Sequence, residues 1–218
     1  LANIGFLKQF TEINNNLDKP FRWLGIQTSG VCLNDEILGF LRNYMGVSVI
    51  SLSLSALNEE INFEYNQTPQ GLQFDIKKLI KRIKKHDFTL RLSLNMTDAF
   101  NYYEPAKLLN SLSKDYLADQ VTLRRLYQSG RNTEIDRWIL NHKICKDQMI
   151  ELKTYIKTTG TPMEKLPFGA TRYSLHNLSL VVDDDCMNEK AKKSIKYLIL
   201  RPNCKLYTKW DKKESILF

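Results

Sequence analysis

The chain has 218 residues, of which 43% are hydrophobic and 26% are charged, and its formal net charge is +8. This composition is typical of a globular protein with one sizeable core, and it excludes a disordered chain. No apolar run approaches the roughly 18–20 residues that a membrane-spanning helix needs, so we expect no membrane partner. The four cysteines are widely spread, which predicts reduced thiols in a cytoplasmic protein and no local metal motif.

Strand-like and helix-like segments alternate along residues 1–130. Strands are predicted at FRWLGIQTS, VSVISLSLS, FTLRLSLNMT and DQVTLRRLY. Helices with an apolar face are predicted at NIGFLKQFTEINNNL, DEILGFLRNYM, FDIKKLIKRIKKH and EPAKLLNSLSKDYL. The alternation indicates βαβ units around a parallel sheet, with right-handed crossovers, either as a doubly wound sheet or as part of a barrel.

The pattern changes after Gly130. TEIDRWILNHKICKDQMIELKTYIKTTG predicts one or two helices that end near Gly160, and ATRYSLHNLSLVVDDD predicts a hairpin or edge strands. KYLILRPNCKLYTKW has two apolar runs around the turn signal Pro202-Asn203. We therefore predict a small α+β extension over residues 131–218, with antiparallel strands.

Polar side chains follow each of the four predicted parallel strands. They are Thr28, Ser29, Gly30, Ser53, Ser55, Asn95, Thr97, Asp98, Arg124, Arg125 and Tyr127. Ligands of parallel α/β sheets bind beyond the carboxyl ends of the strands, so these residues form a candidate binding site. The set has no histidine, cysteine or carboxylate pair, so it identifies no catalytic residue and favours a site where a cofactor performs the chemistry.

Turn chemistry is the alternative explanation for the same hydroxyl groups. Serine and threonine at the end of a strand often satisfy turn backbone or cap the next helix. For any single residue this explanation is the stronger one, and the repetition at four successive strands favours a ligand site for the set.

The short sequence motifs at these strand ends resemble those of the radical SAM superfamily. T-S-G at 28–30 stands where the family has T-N-G, S-L-S at 53–55 stands where it has S-L-D, and LRLSLNMTDAFN resembles its later strand with an asparagine. The resemblance covers roughly Leu1 to Gly130. It implies an α/β fold that is a partial (β/α) TIM-like barrel of parallel strands, followed by the small α+β extension.

The resemblance also implies a cofactor, S-adenosylmethionine. The residues expected to bind it are Thr28, Ser29, Ser53, Ser55, Asn95 and Arg124. Thr28 and Ser53 would lie near the methionine or ribose portion, and Asn95 would reach the ribose or the carboxylate. The strand of Arg124 would pass the adenine. Ser55 stands where the family often has aspartate.

The activity implied by the resemblance is reductive cleavage of S-adenosylmethionine at a 4Fe-4S cluster. It would give a 5′-deoxyadenosyl radical that acts on an unknown substrate, with an electron donor for the cluster. The family's C-x-x-x-C-x-x-C loop and G-G-E segment do not occur in the printed sequence. The alignment places Leu1 just after the G-G-E strand, so the cluster ligands are expected upstream and the printed chain is expected to be inactive alone.

Two further features leave alternatives open. The basic segments KKLIKRIKKH and KAKKSIKYLILRPNCKLYTKWDKKE are typical of solvated helix faces, but they also permit a non-catalytic module that binds nucleic acid or peptide. The acidic run Asp183 to Asp185 fits a solvated turn, a divalent cation site, or a contact with a cationic substrate group.

Overall fold

The computed structural model describes residues 4–166, 169–183, 199–200, 203, 205–208 and 213–217. The helices are α1 Ile4–Asn15, α2 Asp35–Gly39, α3 Glu59–Tyr65, α4 Ile76–Lys85, α5 Pro105–Lys114, α6 Glu134–His142 and α7 Lys146–Thr159. The strands are β1 Leu24–Thr28, β2 Val47–Leu54, β3 Thr89–Met96, β4 Gln120–Arg125, β5 Thr161–Lys165, β6 Thr171–Leu175, β7 Leu178–Asp183, β8 Ile199–Leu200 and β9 Leu206–Tyr207.

Seven of the strands form one mixed sheet, which confirms the predicted α/β class. Their order is β1-β2-β3-β4-β7-β6-β5. Strands β1, β2, β3, β4 and β7 are parallel, and β6 and β5 continue the sheet in antiparallel pairing. The sheet is open, with β1 at one edge and β5 at the other. The described residues therefore do not form a closed TIM barrel.

The strands predicted at ATRYSLHNLSLVVDDD join this same sheet, whereas β8 and β9, in the segment KYLILRPNCKLYTKW, pair with each other in a separate antiparallel sheet. β7 pairs in parallel with β4, beginning at Gln120 and Ser179, and β6 pairs with β7 around a turn at His176 and Asn177. The antiparallel hairpin is confirmed, and the parallel pairing of β7 was not predicted. It follows from the apolar alternation of Leu178, Leu180 and Val182, which continues the buried face of β4.

Local signals in the sequence account for the start of α2 and the turn after it. The side chain of Asn34 accepts a hydrogen bond of 2.9 Å from the Ile37 N–H, as the predicted N-cap should. The helix continues as a π-helical turn over Phe40–Tyr44. Gly46 follows with a φ of +70°, the left-handed conformation expected just after a helix.

The strongly amphipathic helix α4 also lies where it was predicted. Asp75 caps it by accepting a 2.7 Å hydrogen bond from the Lys78 N–H. Four apolar side chains at helical spacing are at most 3% exposed: Ile76, Leu79, Ile80 and Ile83. Burying this face stabilises the helix against the sheet by about 2 kcal/mol for each large aliphatic side chain.

Two elements were missed by sequence reasoning. Helix α3 lies in a segment for which the strand and helix patterns predicted no element, although Asn58 caps it and Glu59 and Glu60 begin it. Strand β5 has no buried residue and therefore no apolar alternation that could have predicted it. Both are short, so the pattern within them is weak.

The helices and the sheet share one core on one face of the sheet. The sheet side of this core consists of leucine, isoleucine and valine at alternate positions of β2, β3 and β4. They are Ile50, Leu52, Leu54, Leu90, Leu92, Leu94, Val121 and Leu123, all at most 1% exposed. No helix in the described part of the chain has the length and apolar character to cross a membrane.

Candidate functional site: the polar face of the sheet

The other face of the sheet carries polar side chains at every second position. We call this set the polar face; it comprises Gln27, Ser51, Ser53, Arg91, Ser93, Asn95, Gln120, Thr122 and Arg124. The strand register arranges it in three rows. The first is Gln27, Ser51, Arg91 and Gln120, the second is Ser53, Ser93 and Thr122, and the third is Asn95 and Arg124.

Three buried polar atoms of this face lack a hydrogen-bond partner among the described residues. They are the hydroxyl oxygens of Ser51 and Ser93 and the Nε of Arg124. Buried polar groups are almost always paired in native proteins, because an unpaired one costs about 1–3 kcal/mol. All three of these atoms lie on this one face of the sheet.

The polar face carries two neighbouring arginines, Arg91 and Arg124, and the strand register places Asp183 of β7 beside Arg124. The Nε and Nη2 of Arg91 donate hydrogen bonds of 2.8 and 2.6 Å to the Oε1 of Gln120. Burial lowers the pKa of Arg91, and the neighbouring guanidinium of Arg124 lowers it further. Among the residues that the structure describes, no carboxylate forms an ion pair with either arginine. The part of the face around Arg91, where no acidic residue lines the cavity, therefore favours an anionic ligand.

Ser55 lies just beyond β2 and holds the strand ends together. Its hydroxyl donates to the Oδ1 of Asn66 at 3.0 Å and accepts from the Nδ2 of Asn95 at 3.2 Å. Its backbone N–H donates to Asn62, and its carbonyl accepts from the hydroxyl of Thr97. Ser55 therefore orients Asn95, and its own hydroxyl is fully engaged.

Thr28 and Gly30 form a turn rather than part of the polar face. Thr28 pairs with Leu52 of the apolar face, and its hydroxyl accepts a 3.1 Å hydrogen bond from the Gly30 N–H. Gly30 has a φ of +94°, and a Cβ there would come within 2.7 Å of Leu79 and 2.8 Å of Phe74. Turn chemistry thus accounts for the T-S-G word, and Ser29 is exposed beside it.

The predicted cofactor residues accordingly separate into two groups. Ser53, Asn95 and Arg124 lie on the polar face, with Ser55 at its end, whereas Thr28 lies on the opposite face. The hydroxyl of Ser53 accepts a 3.2 Å hydrogen bond from Gln27.

Sequence reasoning missed Ser51, Arg91 and Ser93 as site residues. The signal was present in LRLSLN and SLSLS, where apolar and polar residues alternate strictly. A parallel strand that is covered on both faces is typically a continuous apolar run, so alternation indicates one polar face.

A cavity of about 330 Å³ opens on the polar face near the start of β1 and β2. It is lined by Trp23, Leu24, Gly25, Ile26, Gln27, Ser48, Val49, Ser51 and Arg91. Its volume lies at the lower end of the range of about 300–1,000 Å³ that is usual for small-molecule sites.

An aromatic cluster lies close to the ends of β2 and β3. The hydroxyl of Tyr65 donates to Asp98 at 2.9 Å, and burial together with this bond raises the pKa of Tyr65 to about 12. Trp138 and His142 stack with ring centroids 4.4 Å apart, and each meets Tyr65 edge-on. The Nδ1 of His142 also forms a hydrogen bond of 2.8 Å with the Trp138 carbonyl.

The described residues do not fit an iron–sulfur cluster. Cys32 and Cys145 are exposed and stand on different elements, and no group of three or more metal-ligating side chains occurs in the described ranges. Cys186, Cys204 and the acidic residues Asp184 and Asp185 lie outside the described residues.

No family model and no curated protein matches the chain. Among solved structures, it is similar to Streptococcus suis SuiB, with 14% identity and a TM-score of 0.44 over 78% of this chain. A second structure, SuiB bound to S-adenosylmethionine, gives 14% identity and a TM-score of 0.47 over 88% of this chain. The chain spans only 36% and 40% of those two chains, and these values transfer no function to it.

Proposed function

We propose that the chain binds S-adenosylmethionine at the carboxyl ends of β2, β3 and β4, as the sheet portion of a radical SAM-type enzyme. The observation that carries the proposal is the convergence of Ser53, Asn95 and Arg124 on one face at these strand ends. Ligands of parallel sheets bind at such ends. The strand-end motifs T-S-G and S-L-S, with the later asparagine, resemble those of the radical SAM superfamily, and this resemblance is the ground on which the cofactor is proposed.

The chemistry of these side chains fits the groups of the cofactor. A guanidinium such as that of Arg124 matches the carboxylate of a methionine moiety. The amide of Asn95 and the hydroxyl of Ser53 supply donors and acceptors for ribose hydroxyls.

The proposal assigns no cleavage step to these residues. Reductive cleavage needs a cluster, and the described residues do not provide the thiolates for one. Their part in the proposed function is to bind and orient the cofactor.

Isothermal titration of the purified chain with S-adenosylmethionine tests the proposal. We expect saturable binding that Asn95→Ala and Arg124→Gln each weaken about tenfold, because each removes a hydrogen bond or charge pair to the ligand. Thr28→Val is the matched control, since its hydroxyl serves the turn, and it should leave the affinity unchanged. A folded chain that shows no saturable heat would contradict the proposal.

The salt dependence of binding distinguishes this proposal from the alternative, a basic module that binds nucleic acid or peptide. Binding of a single-stranded oligonucleotide by such a module would weaken steeply with salt concentration, because it releases counterions from the phosphates. Several lysines are already engaged, for example Lys84 with Asp119 at 2.7 Å and Lys107 with Glu104 at 2.8 Å. We therefore expect weak oligonucleotide binding that does not compete with S-adenosylmethionine.

A further inference from the structure

The cavity at the start of β1 and β2 is separate from the proposed cofactor site. Its polar lining residues Ser51 and Arg91 precede the strand-end residues Ser53 and Asn95 by two and four positions on β2 and β3. The strands advance about 3.3 Å per residue, so the two regions are about 7–13 Å apart along the same face.

One polar group that lines this cavity has no hydrogen-bond partner among the described residues. Ser51 lines the cavity and is 6% exposed, and its hydroxyl has no hydrogen-bond partner. The other polar groups nearby are engaged. Ser48 donates to the Leu24 carbonyl at 3.3 Å, and Gln27 donates to Ser53 at 3.2 Å.

The charge on the cavity lining is positive. Arg91 is the charged residue among its lining side chains. Gln120 holds the guanidinium through Nε and Nη2, so its orientation is fixed while its remaining N–H groups are uncommitted in the described hydrogen bonds. A fixed, half-buried guanidinium beside an unpaired hydroxyl is suited to anionic oxygens.

The rest of the lining is apolar and includes an aromatic ring at the rim. Val49, which shares the face of Ser51, provides the apolar side chain of the wall, and Trp23 lines the cavity with 86% of its surface exposed. An exposed indole beside a cavity offers a flat surface on which a planar ligand can stack.

We propose that this cavity binds a small organic anion, a carboxylate or a phosphate ester attached to a flat body, with Arg91 and Ser51 donating to the anionic oxygens and Trp23 covering the flat body. The proposal does not depend on the proposed binding of S-adenosylmethionine.

The test uses benzoate and phenyl phosphate as probes, with benzyl alcohol as the neutral counterpart. Nuclear magnetic resonance of the tryptophan indole N–H groups reports binding, and Trp23→Phe identifies the Trp23 signal. We expect benzoate or phenyl phosphate to shift this signal saturably below about 10 mM, the range of weak small-ligand binding. The probe that binds with the higher affinity shows whether the site prefers a carboxylate or a phosphate ester.

Variants show which side chains bind the probe. Arg91→Gln should weaken binding about ten- to hundredfold, and Ser51→Ala by severalfold, because charged hydrogen bonds contribute more than neutral ones. Lys81→Gln is the charge-matched control, since Lys81 is exposed on α4, the helix that covers the opposite face. Circular dichroism establishes that each variant is folded.

Three results would overturn the proposal. They are the absence of saturation with both anions, equal shifts with benzyl alcohol, and an equal loss of affinity in Lys81→Gln and Arg91→Gln. Should Arg91→Gln fail to fold, Ser51→Ala and Arg91→Lys decide, and wild-type affinity in Ser51→Ala then counts against the site. A negative titration with S-adenosylmethionine would leave these measurements unaffected.

Discussion

Arg124 lies close enough to Arg91, on the neighbouring strand, to add to the lowering of the Arg91 pKa that burial causes. Two like charges on one sheet face repel each other, and the Nε of Arg124 is buried without a partner. Such an arrangement costs stability in the absence of a ligand and is relieved by an anion.

Removing one of these charges should therefore not destabilise the free protein. We expect Arg124→Gln to leave the free energy of unfolding in urea unchanged or to raise it by up to about 1 kcal/mol, because it relieves repulsion and an unpaired donor. Arg137→Gln, at an exposed arginine that bonds only the Asn132 carbonyl in the described structure, should change it by less than about 0.5 kcal/mol. A loss above about 2 kcal/mol in Arg124→Gln would show that the guanidinium has a structural partner.

Two serines on neighbouring strand positions should respond oppositely to truncation. Ser93 is 0% exposed and its hydroxyl is unpaired, so Ser93→Ala should be neutral or stabilising by up to about 1 kcal/mol. Ser55→Ala removes hydrogen bonds to Asn66 and Asn95 and should cost about 1–3 kcal/mol. Urea denaturation of both variants measures the difference. Equal losses in the two would contradict the distinction between an unpaired and a structural hydroxyl.

The T-S-G turn should not tolerate a side chain at Gly30. A Cβ there would lie 2.7–3.0 Å from Leu79, Phe74 and Leu52, and the φ of +94° is strained for alanine. We expect Gly30→Ala to lower the free energy of unfolding by about 2–4 kcal/mol, from overpacking and backbone strain together. Gly39→Ala is the matched control. It lies in α2 with nothing within 4 Å of the added atom, and it should stabilise by about 0.5–1 kcal/mol. Similar thermal midpoints for the two variants would refute the close packing.

The stability of the protein should depend on pH through Asp136, which holds the loop before α6. A hydrogen bond from the Ser129 hydroxyl and further ones from backbone N–H groups hold the pKa of Asp136 below its usual value of 3.8. A carboxyl with a lowered folded pKa contributes stability that is fully present above its unfolded pKa and is lost as the pH falls through its folded pKa. Asp136→Asn should therefore be less stable than the parent at neutral pH, and the difference should shrink below about pH 3.8.

Thermal unfolding of the parent and Asp136→Asn between neutral pH and the acid limit measures this difference. Asp18→Asn, at an exposed aspartate, provides the control and should follow the parent at every pH. A difference that stays constant down to strongly acidic pH would exclude Asp136 as its source.

The sequence predicted the parallel part of the fold well because its signals are local. VSVISLSLS and LRLSLN show strand alternation directly, and the Asn34 and Asp75 caps show where α2 and α4 begin. The joining of β7 to β4 was not predictable in the same way, because pairing between strands about 60 residues apart depends on tertiary packing.

The candidate site was predicted only where strand ends coincide with the polar face. Ser53, Asn95 and Arg124 satisfy both conditions, and Thr28 satisfies only the first. Whether a hydroxyl points to a turn or to a ligand depends on its register in the sheet, and that register is set by neighbouring strands. Arg91 was not predicted because it lies within β3 and not at its end, where only the alternation of polar and apolar residues indicates the polar face.

Because polar and apolar residues alternate along β2 and β3, substitutions on one face of the sheet can occur independently of substitutions on the other. Substitutions at Leu52 or Leu92 alter the core, whereas substitutions at Ser51, Ser53 or Arg91 alter the polar face. Residues on opposite faces share few neighbours, so their effects on folding should add rather than interact. Such a sheet can change what it recognises one residue at a time while the packing that keeps it folded is inherited intact.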